Sequence, residues 1–334
     1  MNDVKVKIDL AQPIGKLGFG VPLILLENAE KAVEYSEVNG IAELVALGFE
    51  NTSIVYKAAQ LMYAQANAPK TIAVCAYDGA ATAALADAKL VAKGWRQLIV
   101  VNGDGEKSTV PAISAAVEAL EGKMYFASLD VKDSVSITVN GIRRTVLFYC
   151  DATENVPVPV AALVGEIAGR DAGSFTYKNL KLKGIETQEL TAAEVKAIHQ
   201  KGGITFIEKA GDAVTSEGKV VGGEYIDVID SEDYVVQQLT YHTQKVLNNA
   251  GKVPYDNNGI AMLEAAAMNV MQDAYNKGMI ANKADGTPDY FASYALREDT
   301  SETDRSNRHY AGGTFGFALA GAIHEVYITG EITV

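Results

Sequence analysis

Short apolar runs alternate along this chain with longer stretches whose apolar residues recur every three or four positions. LILL at 23–26, TIAVCAY at 71–77, LIVV at 98–101 and MYFASLD at 124–130 have the length and content of buried strands. The stretches between them predict helices: one starting at Asn28, IVYKAAQLMYAQA at 54–66, AATAALADAKLVAKG at 80–94 closed by Gly94, and PAISAAVEALEG at 111–122. Pro111 near the start and Gly122 at the end suit that last helix. VSITVNGIRRTVLFYCD at 135–151 predicts a hairpin turned at Asn140-Gly141. Two further helices follow, at 156–171 and at 191–202, the second opened by a Thr191/Glu194 capping box.

After residue 210 the rhythm changes. DAVTSEGKVVGGEYIDVID at 212–230 predicts a turn-rich β pair. A helix with Val235, Leu239 and Val246 on one stripe comes next. A second long helix runs from about Asn258 to Lys277, with Ile260, Leu263, Ala267, Val270, Met271 and Ala274 on its apolar face and Gly278 as the stop. YFASYA begins strand-like and passes into a charged, hydroxyl-rich loop.

Both ends alternate with period two. In VKVKIDL, Val4, Val6, Ile8 and Leu10 share one face, while Lys5, Lys7 and Asp9 share the other. In the last residues Val326, Ile328, Ile332 and Val334 lie opposite Glu325, Tyr327 and Glu331. AQPIGKLGFGVP separates the first strand from the rest, and Gly15, Gly18 and Gly20 make it a hinge. Burying four apolar side chains per strand contributes about 6–12 kcal/mol, and ordering some seven residues costs about 7–14 kcal/mol. One such arm is near break-even alone. Two arms joined to a lattice hold well, because docking the second is effectively intramolecular. The pattern therefore allows the strands to complete their own sheet or a neighbour's.

The expected fold is α/β, α+β overall: a mixed, mainly parallel sheet flanked by helices, with extended β-strand arms at both ends. Its expected division is an arm and hinge at 1–21, an α/β body at 22–210, a domain with two long helices at 211–312, and an arm strand at 313–334.

Charge narrows the partners. The 334 residues carry 42 acids against 29 bases, a net charge of −13. Such a surface repels phosphate backbones and gains nothing from anionic lipid, so direct nucleic-acid or membrane contact is not expected. The start, MNDVKVKIDL, has no apolar leader, and no run reaches the ~18 apolar residues of a spanning helix. Folding in a cytoplasm is expected. Cys75 and Cys150 lie singly inside apolar runs and are expected to be buried thiols.

Chemistry is sparse. VNGDGEKST at 101–109 lacks phosphate-loop spacing, and GKLGFG at 15–20 has its glycines at the wrong intervals for a dinucleotide fold. The four histidines, His199, His242, His309 and His324, form no metal-ligand spacing. No catalytic, cofactor or metal residue is expected. The rival class is a flavodoxin-like enzyme or nucleotide- or ligand-binding protein with a site near Asn102 to Lys107, where strand ends meet.

From residue 174 onward the order of short motifs resembles contractile tail sheath proteins. Asn-Leu-Lys-Leu-Lys-Gly-Ile stands at 179–185, Leu-Thr-x-x-Glu at 190–194 and Gly-Ile at 203–204. Gly-Glu-Tyr-Ile-Asp-Val at 223–228 then enters a long helix as a strand. Pro254-Tyr255, Gly259, Gly278 and the ending AGAIHEVYITGEITV continue the likeness. Over 22–170 only the α/β order agrees. The resemblance implies a structural subunit of a phage tail or phage-tail-like bacteriocin, not an enzyme. It implies a helical homopolymer around a tail tube protein, with baseplate and tail-terminator or collar proteins at its ends. The terminal strands would pair with neighbouring subunits, and contraction would drive the tube through a cell envelope. Residues 297–309 are a candidate contact loop.

Overall fold

The computed structural model describes residues 20–103, 109–133, 137 and 141–324. The chain divides into two compact units, with the boundary between Asp233 and Tyr234.

The first unit is built on a sheet of β1 (Val21–Glu27), β2 (Val33–Val38), β3 (Ile72–Ala76), β4 (Trp95–Asn102), β5 (Met124–Leu129), β6 (Thr145–Tyr149), β7 (Gly203–Lys209) and β8 (Asp212–Thr215). Their spatial order is β2-β3-β1-β4-β5-β6-β7-β8. The six inner strands are parallel, and β2 and β8 are antiparallel edges. β3, β5 and β6 are buried almost throughout because helices cover both faces, which is why they read as continuous apolar runs. Alternate residues still part to opposite sides. Ile24, Val74, Phe126 and Phe148 enter a core with α1 (Ile41–Ala46), α2 (Ile54–Tyr63) and α6 (Val160–Ala168). Leu25, Ala73, Tyr125 and Leu147 enter the other, with α3 (Ala81–Ala86), α4 (Ala88–Val91), α5 (Val110–Glu118) and α7 (Ala192–Gln200). A Cβ at Gly165 of α6 would lie 2.5 Å from the Met62 Cα of α2, so the two helices touch where a side chain has been removed.

α8 (Ile226–Asn249) starts in the first unit and crosses the boundary. The second unit continues with α9 (Asn257–Asn276), β9 (Tyr290–Tyr294), α10 (Glu302–Ser306) and β10 (Gly313–Phe317). All six residues expected on the apolar face of α9 are buried. β9 and β10 pair antiparallel as a two-stranded sheet.

Four local expectations change. No helix starts at Asn28. That residue takes the left-handed conformation (φ +50), and the chain returns as β2 beside β3. Edge pairing there overrides the helix-forming residues 29–32. The helix expected at 80–94 is two, because Asp87 is extended (φ −73, ψ 111) and its carboxylate caps the Lys89 amide at 2.8 Å. The second half of the expected 135–151 hairpin is β6, which runs parallel to β5 and β7; Asn140 lies outside the described residues. The strand expected at 223–228 is a single bridge, Lys219 with Tyr225, and α8 already begins at Ile226. Helical spacing is what brings Ile226 and Ile229 into the core together.

Candidate functional site

In parallel sheets a ligand site forms where neighbouring strands diverge to crossovers on opposite sides. That point here lies between β1 and β4, at the paired residues Glu27 and Asn102. The Glu27 carboxylate is buried and accepts the Ala81 amide at the start of α3, at 2.7 Å. The start of α3 is thus capped by a carboxylate of the protein itself. Asn28 Nδ2 donates to Asn102 Oδ1 at 3.1 Å, and the Gly103 amide donates to the Glu27 carbonyl at 2.8 Å. Residues 104–108 lie outside the described residues.

A cavity of about 550 Å³ sits past the ends of β5 and β6. Two aspartates in its wall are committed to the backbone. Asp151 accepts the Val131 amide at 2.8 Å, and Asp130 accepts the Ala152 amide at 2.9 Å, so each loop braces the other. Among the described residues no cluster of metal-ligating side chains is present.

The strongest charge constellation grips the start of α8. Arg96 on β4 is buried and pairs with Asp230, and with Asp233 at 2.7 Å. Arg144, just before β6, pairs with the same Asp233. Tyr177 donates its hydroxyl to Asp230 at 2.6 Å. Arg143 bridges Glu224 at 2.6 Å and Glu232 at 2.7 Å, and Glu118 of α5 accepts the amides of Arg143 and Arg144, each at 2.9 Å. Burial opposes the charge of Arg96, but the Asp230 and Asp233 carboxylates outweigh it and raise its pKa above the ordinary value. Burial likewise pushes Asp233 up, and the Arg96 and Arg144 guanidiniums reverse this, holding it below its ordinary 3.8. Lys123 lies over the Trp95 ring, 4.4 Å from its centroid; burial and then the Arg96 charge bring it down to about 8. None of this was visible as a motif. Asp230 and Asp233 are three apart on a helix, a usable signal, but their arginines lie far off in sequence.

In the second unit the β9–β10 sheet has one open outer edge on each strand among the described residues. Phe291 lies over Gly316 and Tyr294 over Gly313, at directly paired positions. A Cβ at Gly316 would come within 2.6 Å of the Phe291 ring, which stays 55% exposed. The connection between the strands is built, not loose. Tyr310 stacks on Tyr294 (5.9 Å between centroids) and donates to the Ala295 carbonyl at 2.8 Å, while Ser301 caps α10. Residues 297–309 of the expected contact loop are exposed or half-buried throughout.

The expected arm residues Val4, Lys5, Val6, Lys7, Ile8, Leu10, Glu325, Val326, Ile328, Glu331, Ile332 and Val334 lie outside the described residues, as do Gly15 and Gly18. Gly20 is described. It adopts φ +96 at the entry to β1, with Arg96 Cβ 2.7 Å from where its own Cβ would be. Cys75 and Cys150 are buried free thiols. His199 bonds Ser216 at 2.9 Å, and His309 faces Asp304 at 3.3 Å. No helix of the described residues is long and apolar enough to cross a membrane.

Comparison with known proteins places this geometry. Residues 226–332, from the start of α8 onward, match the family described as E217 tail sheath protein gp31-like, C-terminal domain. No curated protein matches the chain. Among solved structures, a chain of the anti-feeding prophage (AFP) baseplate superposes with a TM-score of 0.72 at 15% identity, over 100% of this chain and 99% of that one. A chain of the contracted AFP helical sheath gives 0.72 at 14% identity, over 98% and 97%. The sheath tail protein from Listeria innocua gives 0.57 at 11% identity, over 84% and 89%. At these identities the likeness is one of fold, and it runs the length of the chain.

Proposed function

We propose that this chain, whose C-terminal third matches the tail sheath family and whose whole length has the fold of contractile sheath subunits, is the structural subunit of a contractile tail sheath. The carrying observation is the end-to-end fold correspondence with the AFP chains, at a TM-score of 0.72 over 98–100% of the sequence. The site geometry supports a structural reading. At the strand switch point the Glu27 carboxylate is committed to the Ala81 amide, and the cavity aspartates serve as backbone acceptors.

In this reading the subunits polymerise helically around a tail tube, and the amphipathic strands at 4–10 and 325–334 join neighbours, while residues 313–317 of the expected C-terminal arm stay in their own subunit as β10. The β9–β10 sheet supports a receiving role. A two-stranded sheet is marginal alone, and each of its strands offers unpaired backbone groups to an added strand. The polar faces of the arms, Lys5 and Lys7 on one and Glu325 and Glu331 on the other, suit adjacent antiparallel positions, worth about 0.2–1 kcal/mol per pair. Contraction would then be a rearrangement of a lattice that stays linked by strands, with no nucleotide hydrolysed. The tube, the baseplate and a terminator or collar protein are its partners, and assembly takes place in the producing cell's cytoplasm before the particle leaves it.

Negative-stain imaging of the chain co-expressed with its tube protein tests this. Striated cylinders surrounding the tube are expected. A monodisperse monomer that ignores the tube would overturn the reading.

A further inference from the structure

The sequence holds four Asn-Gly pairs, at 39–40, 102–103, 140–141 and 258–259. Asn-Gly is the dipeptide in which the following amide most readily attacks the side-chain carbonyl, because glycine offers no Cβ to hinder it. Three of the pairs are fully described, and they differ in what holds them.

At 102–103 the Gly103 amide already donates to the Glu27 carbonyl at 2.8 Å, and the Asn102 side chain accepts from Asn28 at 3.1 Å. At 258–259 both residues lie within α9, and the Gly259 amide donates to Asp256 Oδ1 at 2.9 Å. Both nucleophilic nitrogens are committed. At 39–40 the situation is reversed. Asn39 is exposed on the turn between β2 and α1. Among the described residues nothing accepts the Gly40 amide proton. Gly40 is extended (φ 177), and no atom lies within 4 Å of where its Cβ would stand, so the turn has room to rearrange. The Thr71 hydroxyl donates to Asn39 Oδ1 at 2.7 Å, drawing electron density from the carbonyl carbon that is to be attacked.

We infer that Asn39 is a site of spontaneous deamidation in the folded chain. The Gly40 nitrogen loses its proton and bonds to Asn39 Cγ, the Cγ–N bond of the amide breaks, and ammonia leaves. The product is a five-membered succinimide. Water then adds to one of its two carbonyls and reopens the ring, leaving aspartate or isoaspartate at position 39. The isoaspartate form adds a methylene to the main chain between β2 and α1. Either form places a new carboxylate beside Glu43, which accepts the Asn39 amide at 3.1 Å. This inference does not depend on the proposed assembly.

The test is incubation of the purified full chain at neutral and mildly alkaline pH, in ordinary and in oxygen-18 water, followed by peptide mass mapping. The same incubation in urea gives each pair's unprotected rate. Asn39 should convert several-fold faster than Asn102 and Asn258 in the folded chain, with uptake of one solvent oxygen and acceleration as pH rises. In urea the three rates should converge. Asn39→Gln should abolish the signal at that peptide and leave the others unchanged. Equal folded-state rates at Asn39, Asn102 and Asn258 would overturn the inference, as would a labelled product formed without loss of ammonia.

Discussion

Glu27, the last residue of β1, accepts the backbone amide of Ala81 at the first turn of α3, 2.7 Å away. One side chain thus satisfies a buried helix end that lacks a side-chain cap of its own. Glu27→Ala leaves that amide unpaired and should lower stability by about 1–3 kcal/mol. Urea denaturation reads the loss, and Glu27→Gln, which keeps an acceptor oxygen, should recover most of it.

Arg96→Met leaves the buried Asp230 carboxylate with the Tyr177 hydroxyl but no guanidinium, while Asp233 keeps Arg144. Breaking a buried pair from one side costs about 3–5 kcal/mol. The double variant Arg96→Met/Asp230→Asn removes a charge from both sides and should be less damaging than the two single losses added together. Strict additivity in chemical denaturation would show that the pair is not coupled.

Acid should unfold the first unit through its paired carboxylates. The Asp233 pKa is depressed, so the folded form binds its proton less readily than the unfolded chain. Its contribution is complete above the ordinary 3.8 and disappears as pH falls through the lowered value. Glu166 adds to the same slope. Burial raises its pKa, but Arg170 and Asn67 more than reverse this and hold it below its ordinary 4.5. Thermal melts between neutral pH and strong acid should fall steeply below that range, and Asp233→Asn should flatten the slope.

Deleting residues 1–12 should leave a folded, soluble chain that forms no sheath. Circular dichroism checks the first outcome and negative-stain imaging the second. Normal cylinders from the truncated chain would remove the N-terminal arm from the assembly.

Phe291→Asp removes a half-covered ring from over Gly316 and should lower monomer stability by about 1 kcal/mol without unfolding the chain. It should nonetheless weaken polymer formation if the β9–β10 edges receive neighbouring strands. Sedimentation of the variant beside the parent chain distinguishes the two effects.

Local pattern was enough for the elements whose own residues carry the signal. The buried strands, the apolar face of α9 and the capping box at Thr191 and Glu194 all follow from period and spacing. They are legible because burial of one face imposes a period on the residues that supply it. Where the chain departs from its local preference, the cause lies elsewhere in the fold. Residues 33–38 form β2 because β3 offers an edge, and Ile226–Val228 are helical because the turns they begin carry Asp230 and Asp233 to the arginines.

The sequence alone determined the alternation of strands and helices, the acidic charge and the two amphipathic ends, since each is written in neighbouring residues. Only the tertiary structure decided which polar groups meet. Glu27 lies 54 residues from the amide it caps, and Arg96 lies 134 from Asp230. Such pairings have no local period, because the chain is free to bring any two segments together, and only the packed sheet selects those whose charge and geometry agree.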